Sequence, residues 1–347
     1  MKKRKKIFLG GYINNINSQN INCKSIALNL DKKKYNVKVL VLSPFNNLEK
    51  IVGVKVIKVF NLFYKLSNFF AFLIGVFWAN VAYVPKHHST PKLVLKLSRY
   101  FGTKIFTTIE GNMCDISRRN MINSFGSIEK MKKYFCLIPN IYGISSNIIS
   151  NSVCGIILHK NPLFLGVEKD IFLHEKTIDV LKNIVFIGSL VKTKRIEEFL
   201  ELAKYFPQMR FNVVGSGAYL EELKESSTEN IIFHGELNHS DMSTLLYNMD
   251  LHFLPSRSEG FPKVILETAS ASIPSLIYNT YGASEWINNN ENGFLISDFN
   301  QAIDVINNLI REPELLKRTS NNVLELANKF DWKLRIKDWE KVIDNLK

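Results

Sequence analysis

Apolar residues fall in short runs separated by turn residues and longer amphipathic stretches. Ile7–Leu9 closes on Gly10-Gly11, Ile21–Leu30 follows with helical spacing, and Val37–Leu42 is a nearly continuous apolar strand. Strand, glycine turn, helix and strand in that order open a parallel α/β sheet, whose strands read as apolar runs because helices cover both faces. Further strands are expected at Val54–Val59, Asn80–Val84, Lys104–Ile109, Ile141–Ser145 and Gly155–His159, making residues 1–172 a Rossmann-like domain.

The pattern restarts at Asn183. Strands at Ile184–Ile187, Phe211–Val214, Ile231–Phe233, Leu251–Leu254 and Ser275–Ile277 alternate with helical stretches at Arg195–Tyr205, Met242–Asn248 and Lys263–Ala271. Two tandem Rossmann-like α/β domains are expected, the second over 183–330, joined by a polar linker at 173–182. Asp331–Lys347, with Trp332 and Trp339, has the period of an amphipathic terminal helix. The most apolar stretch, Phe69–Trp78 with its approach from Phe60, is broken by Lys65, Ser67 and Asn68 and falls short of the ~20 residues of a bilayer span. It reads as a buried crossover helix; any exposed part would lie on a membrane surface.

Composition narrows the class. With 46% hydrophobic and 22% charged residues, disorder and a coiled coil are excluded. Cys23, Cys114, Cys136 and Cys154 form no Cys-x-x-Cys pair, so a reduced, cytosolic protein without a disulfide framework is expected. The basic start, Lys2 to Lys6, leads into no apolar segment long enough for a signal peptide. Residues 1–170 hold 26 basic and 7 acidic side chains, net +19, against 19 and 25, net −6, in 171–347. The basic half suits nucleic acid, an anionic leaflet or a phosphorylated substrate, and solubility alone would also account for it. The seven histidines show no metal-ligand spacing, and no metal is expected.

The densest chemistry lies in Leu254–Ala269. Glu259 follows a strand, and Glu267 stands seven residues after Gly260 in a helix that Pro262 opens. Open α/β sheets bind ligands beyond the carboxyl ends of their strands, so both carboxylates are expected there. The N–H groups of Gly260, Phe261 and Lys263 are placed to receive phosphate oxygens at the helix start. Carboxylates are not phosphate ligands, and sugar hydroxyls are their natural partners. A solvated loop charge would explain Glu259 alone, and an exposed helix position Glu267 alone. The neighbours Val264, Ile265, Leu266 and Ala269 make the helix too apolar to be wholly exposed.

This segment resembles the paired-glutamate signature of the retaining, nucleotide-sugar-dependent glycosyltransferases of group 1 (family 4). Their GT-B fold sets two Rossmann-like domains with parallel sheets facing a central cleft. The resemblance covers nearly the whole chain. It implies that Glu259 faces the donor sugar and Glu267 the ribose, with an acceptor-binding first domain and a terminal helix crossing back to it. Closure of the two halves about the linker and the approach to Trp332 is also implied. Gly188 to Arg195 resembles the element that neutralises the donor diphosphate: Lys194 matches, Ser189 stands where Arg is usual, and Lys192 or Arg195 could compensate. Gly166-Val-Glu168 with Phe172, Gly215-Ser-Gly217, Phe233-His-Gly235, and Tyr281-Gly282 through Glu285 with Asn292-Gly293 resemble further elements in the family's order. Gly10-Gly11 matches the glycine loop that approaches the diphosphate. Glu110 occupies the place of a histidine near the reacting sugar; it could bind a hydroxyl, act as an acid or base, or be a loop carboxylate.

The resemblance thus implies Glu259, Lys194 and Glu110 as catalytic, with a nucleotide-sugar donor and no metal or other cofactor. The acceptor would be a glycan or lipid-linked, met at the anionic cytoplasmic face of a membrane. A nucleotide-sugar epimerase of similar fold is the alternative enzyme, though the glutamate ordering belongs to the transferase pattern. A nucleic-acid-binding protein would explain the charge. It predicts aromatics interleaved with the cationic runs, whereas Phe60–Trp78 lie apart from them.

Overall fold

The computed structural model describes residues 4–15, 17–44, 51–111, 113, 124–151 and 154–346; Lys2, Lys3 and Cys114 lie outside them. The chain forms two units, Met1–Leu165 with Trp332–Lys347, and Gly166–Asp331.

Unit 1 carries a six-stranded parallel sheet in the order β3-β2-β1-β4-β5-β6. The strands are β1 (Lys5–Tyr12), β2 (Tyr35–Ser43), β3 (Val54–Phe60), β4 (Val81–Tyr83), β5 (Lys104–Ile109) and β6 (Asn140–Gly143). Successive residues of β1 face opposite sides, and the helix on each side is packed to suit. Helix α2 (Tyr64–Trp78) lies against Phe8, where a Cβ on Gly75 would collide with the phenyl ring. Helix α1 (Ser18–Asn29) puts Cys23 against Gly11 from the other side. The Asn17 side chain caps α1, accepting from the Gln19 N–H at 3.1 Å. The terminal helix Trp332–Asn345 belongs to this unit because Trp332 and Trp339 are fully buried in it. Trp339 Nε1 donates to the Phe164 carbonyl at 3.0 Å, and its ring meets Tyr83 edge-on at 5.0 Å.

Unit 2 repeats the architecture, with the order β12-β11-β10-β7-β8-β9. Its strands are β7 (Asn183–Ile187), β8 (Arg210–Val214), β9 (Ile231–Gly235), β10 (Leu251–Leu254), β11 (Ser275–Tyr278) and β12 (Gly293–Ile296). The apolar pattern gives no sign of β12, a run of only four residues whose Asn292-Gly293 start is read only as resembling a family element.

Five expectations change. Gly155–His159 is no strand: the His159 N–H donates to Ile141, and its ring stacks on Tyr142 at 4.1 Å. The first unit ends at Leu165 rather than Phe172, because Val167 pairs with Asp331 and Phe172 packs against His239, both of unit 2. The linker is seated on unit 2 as well: the His174 N–H donates to Ser270, and Lys176 Nζ donates to the carbonyls of Leu246 at 3.1 Å and Tyr247 at 2.9 Å. Its polarity thus serves the open carbonyls at the end of helix His239–Leu246. Cys154 is disulfide-bonded, whereas Cys23 and Cys136 are in no disulfide; separation along the chain does not limit proximity in the fold. Finally, α2 is buried on one face only, through Asn68, Ala71, Phe72, Gly75 and Val76.

Candidate active site

All strands of unit 2 run parallel, so the loops after β7, β8, β9, β10 and β11 leave from one edge of the sheet. The loop after β10 bears Glu259, and the loop after β7 bears Lys194 in a short 3-10 turn. They meet: Lys194 Nζ donates to Glu259 Oε1 at 2.6 Å, with the lysine side chain 22% and the glutamate 9% exposed. The Ser256 hydroxyl steadies the loop, contacting the Thr193 carbonyl at 3.4 Å and the Ser258 carbonyl at 3.2 Å.

Pro262 precedes the helix Lys263–Ser270 as its cap residue. The amides of Gly260 and Phe261 donate to no acceptor among the described residues. The Phe261 ring turns inward onto Trp286 and Phe330, at centroid distances of 4.7 and 5.0 Å, which leaves its main chain as the part that can serve a ligand. Glu267 stands one turn beyond Lys263 on the same helix face. It has no hydrogen-bond or ion-pair partner among the described residues, and burial raises its pKa while the Lys263 charge pulls the other way. A carboxylate withdrawn from water without a donor is costly to keep, and a ligand hydroxyl would relieve it.

The glycines divide by what surrounds them. The Gly188 N–H donates to Val214 at 3.0 Å and the Gly215 N–H to Gly235 at 2.8 Å, so the three line the tips of adjacent strands. A Cβ on Gly215, at φ 134°, would collide with the Gly188 carbonyl, and one on Gly217 with the Leu190 carbonyl. Both are demanded by main chain against main chain. Gly188 and Gly235 have room for a Cβ, though Gly235 sits at φ 70°. Ser189 is exposed beside them.

Neither compensating cation faces the Lys194–Glu259 pair. Lys192 lies over the Tyr219 ring at 5.3 Å. Arg195, in the left-handed region at φ 51°, donates through Nε to Glu198 at 2.7 Å. Glu198 also accepts from the Tyr278 hydroxyl at 2.6 Å, and Arg257 lies over the Tyr278 ring at 4.6 Å. Sequence reasoning misses this group and also His252, fully buried in β10. His252 Nδ1 shares a hydrogen bond with Ser275 Oγ at 2.9 Å, and Nε2 has no partner among the described residues. Burial, and then the Lys194 charge, push its pKa down to about 3. Nothing in the pattern of an apolar strand signals such a residue.

In unit 1, Gly10 and Gly11 lie within β1 rather than in a loop beyond it, and Phe72 and Cys23 fill the space where their Cβ atoms would go. Close helix packing accounts for them. Glu110 accepts from Ser18 Oγ at 3.3 Å and Asn22 Nδ2 at 3.2 Å, so its carboxylate braces the first turns of α1. Among the described residues no group of three or more His, Cys, Asp or Glu is placed to hold a metal ion.

Two parallel six-stranded α/β units in one chain define the GT-B class of fold. Residues 172–325 match the family Glycosyl transferases group 1. The O-antigen biosynthesis glycosyltransferase WbnH of Escherichia coli is 38% identical over 121 residues, 33% of either chain. The Escherichia coli UDP-Gal:alpha-D-GlcNAc-diphosphoundecaprenol alpha-1,3-galactosyltransferase is 29% identical over 170 residues, 45% of this chain and 42% of its own. The chain spans about half the length of the curated relatives it matches, 49% and 53% for two of them. The structure of HepE from Anabaena in complex with UDP-glucose matches with a TM-score of 0.77 at 14% identity, over 98% of this chain and 100% of that one, a likeness of fold.

Proposed function

We propose that the chain is a retaining glycosyltransferase that moves a sugar from a nucleoside-diphosphate donor to an acceptor hydroxyl without a metal. The observation that carries this reading is the partnerless, partly desolvated Glu267 on the helix whose approach holds the Lys194–Glu259 pair and the open amides of Gly260 and Phe261. Lys194 and those amides hold the diphosphate, Glu259 takes donor-sugar hydroxyls and Glu267 the ribose hydroxyls. The bond from the anomeric carbon to the leaving phosphate oxygen breaks, and the bond to the acceptor oxygen forms on the same face. The acceptor proton passes to the departing phosphate. Fixed donors at the phosphate act where negative charge grows, so no protein nucleophile is needed. Glu110 enters this scheme as a positioning residue for α1.

The acceptor in this reading is a lipid-linked or polysaccharide hydroxyl of cell-surface glycan assembly, met at the anionic cytoplasmic face of a membrane. The name of the Escherichia coli galactosyltransferase above, which includes a diphosphoundecaprenol acceptor, and the +19 charge of residues 1–170 support it. Thermal melts with UDP-, GDP-, ADP- and CMP-sugars test the donor part. One nucleotide series should raise the Tm of the wild type and leave Glu267→Ala unmoved. Equal stabilisation of both proteins, or stabilisation by none, would overturn the assignment.

A further inference from the structure

Helix α2 is apolar on both sides. Its inner face packs on the sheet, and the opposite side presents Leu66, Phe70, Ile74 and Phe77, which are 59%, 49%, 51% and 66% exposed. At ~100° per residue these four fall within an arc of about 80°, a continuous stripe rather than scattered apolar side chains. A helix apolar all round belongs in a protein core or against lipid, and this one is covered on the sheet side, while Phe77 of the outward stripe also meets the Phe101 ring at 4.9 Å. No helix among the described residues is long and apolar enough to cross a membrane.

Beside the C-terminal end of α2 lies a row of cations. Lys38 is the register partner of both Phe8 and Lys55, so Lys38 and Lys55 emerge on the sheet face that α2 covers, and Lys6, two residues before Phe8, emerges there too. Lys38 and Lys6 reach the Trp78 ring at 4.3 and 5.6 Å. None of the three has a carboxylate partner among the described residues. Burial, then Lys55 and Lys6, lower the pKa of Lys38. Like charges on neighbouring strands repel, and an anion from outside the unit would relieve them.

We propose that the outward stripe of α2 and the Lys6, Lys38 and Lys55 row form one surface that seats unit 1 on a bilayer containing anionic lipid. The side chains of the stripe enter the acyl boundary while the lysines meet the headgroups. Nucleic acid would meet a stripe of bare hydrocarbon apart from the cations, and so fits this surface less well. The proposal rests on the membrane part of the proposed function and names the surface that serves it.

Co-sedimentation of the full chain with vesicles of phosphatidylcholine alone, or with added phosphatidylglycerol, tests it at low and high salt. The wild type should bind only the anionic vesicles, more weakly in salt. The exposed pair Phe70→Glu/Ile74→Glu should lower partitioning at least tenfold, and Lys38→Gln/Lys55→Gln should reduce it and flatten its salt dependence. Unchanged melting shifts with the donor nucleotide show that both variants are folded. Binding retained in both overturns this surface while leaving the membrane reading standing; a wild type that ignores every vesicle overturns both. A concentration-dependent dimer, seen by light scattering and lost in Phe70→Glu/Ile74→Glu, would make the stripe a self-interface and also overturn the proposal.

Discussion

The Lys194–Glu259 pair is the most informative contact at the residue scale, because its two members come from loops 65 residues apart and are both largely withdrawn from solvent. Removing the cation from a nearly buried carboxylate should destabilise the chain by about 3 kcal/mol, since such a pair is costly to break from one side. Lys194→Ala should therefore lower the urea midpoint, and Lys194→Met/Glu259→Gln should recover most of the loss. Activity should not follow: in the proposed reaction Lys194 is a fixed donor to a developing anion, whose removal lowers kcat by roughly 100-fold or more, and the double variant should stay as slow as the single. Recovery of kcat along with stability would reduce the pair to a structural bridge. His252 beneath it makes a second prediction. Its folded pKa is about 3 against an ordinary 6.5, so the unfolded chain binds the extra proton between those values. Its contribution is complete above pH 6.5 and is lost as the pH falls, by on the order of 3 kcal/mol at pH 4. Urea melts from pH 7 to pH 4 on His252→Gln should show a shallower decline than on the wild type.

Glycine positions separate what was legible along the chain from what was not at the scale of elements. Apolar runs located every strand of unit 1, and all but β12 in unit 2, because strands buried on both faces leave a compositional trace and the largely exposed β3 still interleaves Val and Ile with Lys. The same local pattern could not tell a glycine that serves a ligand from one that serves a neighbouring backbone. Gly215 and Gly217 are required by carbonyls of the loop after β7, and Gly10 and Gly11 by Phe72 and Cys23; all are long-range contacts with no local signature. Glu259, Glu267 and Lys194 stand out along the chain because of their order relative to strand ends, and the structure pairs Lys194 with Glu259. His252, Glu198 and Tyr278 were not, since each sits in a regular element whose period it does not disturb. Gly215→Ala should cost at least about 2 kcal/mol, combining backbone strain with the collision at Gly188. Gly235→Ala, strained in φ but with open space around it, should cost only about 1–2 kcal/mol. Equal urea midpoints for the two variants would mean that the strand tips yield more readily than their packing implies.

At the scale of the whole molecule, the restart of the strand pattern near Asn183 marks the two-unit plan, but the segment Gly166–Lys182 changes sides because its partners, Asp331, His239 and Ser270, are far along the chain. The terminal helix does the reverse, leaving unit 2 at Asp331 to bury two indoles in unit 1. The core of unit 1 is therefore incomplete until residues 332–345 are in place, whereas that of unit 2 is built from Gly166–Asp331. Trp339 is the keystone: its ring meets Tyr83, Phe106 and Trp332, and its N–H is used by Phe164. Trp339→Ala opens a cavity and leaves the Phe164 carbonyl without that donor, and it should cost about 3–5 kcal/mol. Because those contacts lie within unit 1, the loss should be local. Hydrogen–deuterium exchange in low urea should show faster exchange in β1, β4 and β5 of the variant, with the strands from β7 to β12 unchanged. Saturating donor nucleotide should slow exchange in unit 2 of wild type and variant alike, since the ligands proposed for it there, Lys194, Glu259 and Glu267, are untouched. Faster exchange throughout both units would mean that they unfold as one cooperative body, and the assignment of the terminal helix to unit 1 alone would fail.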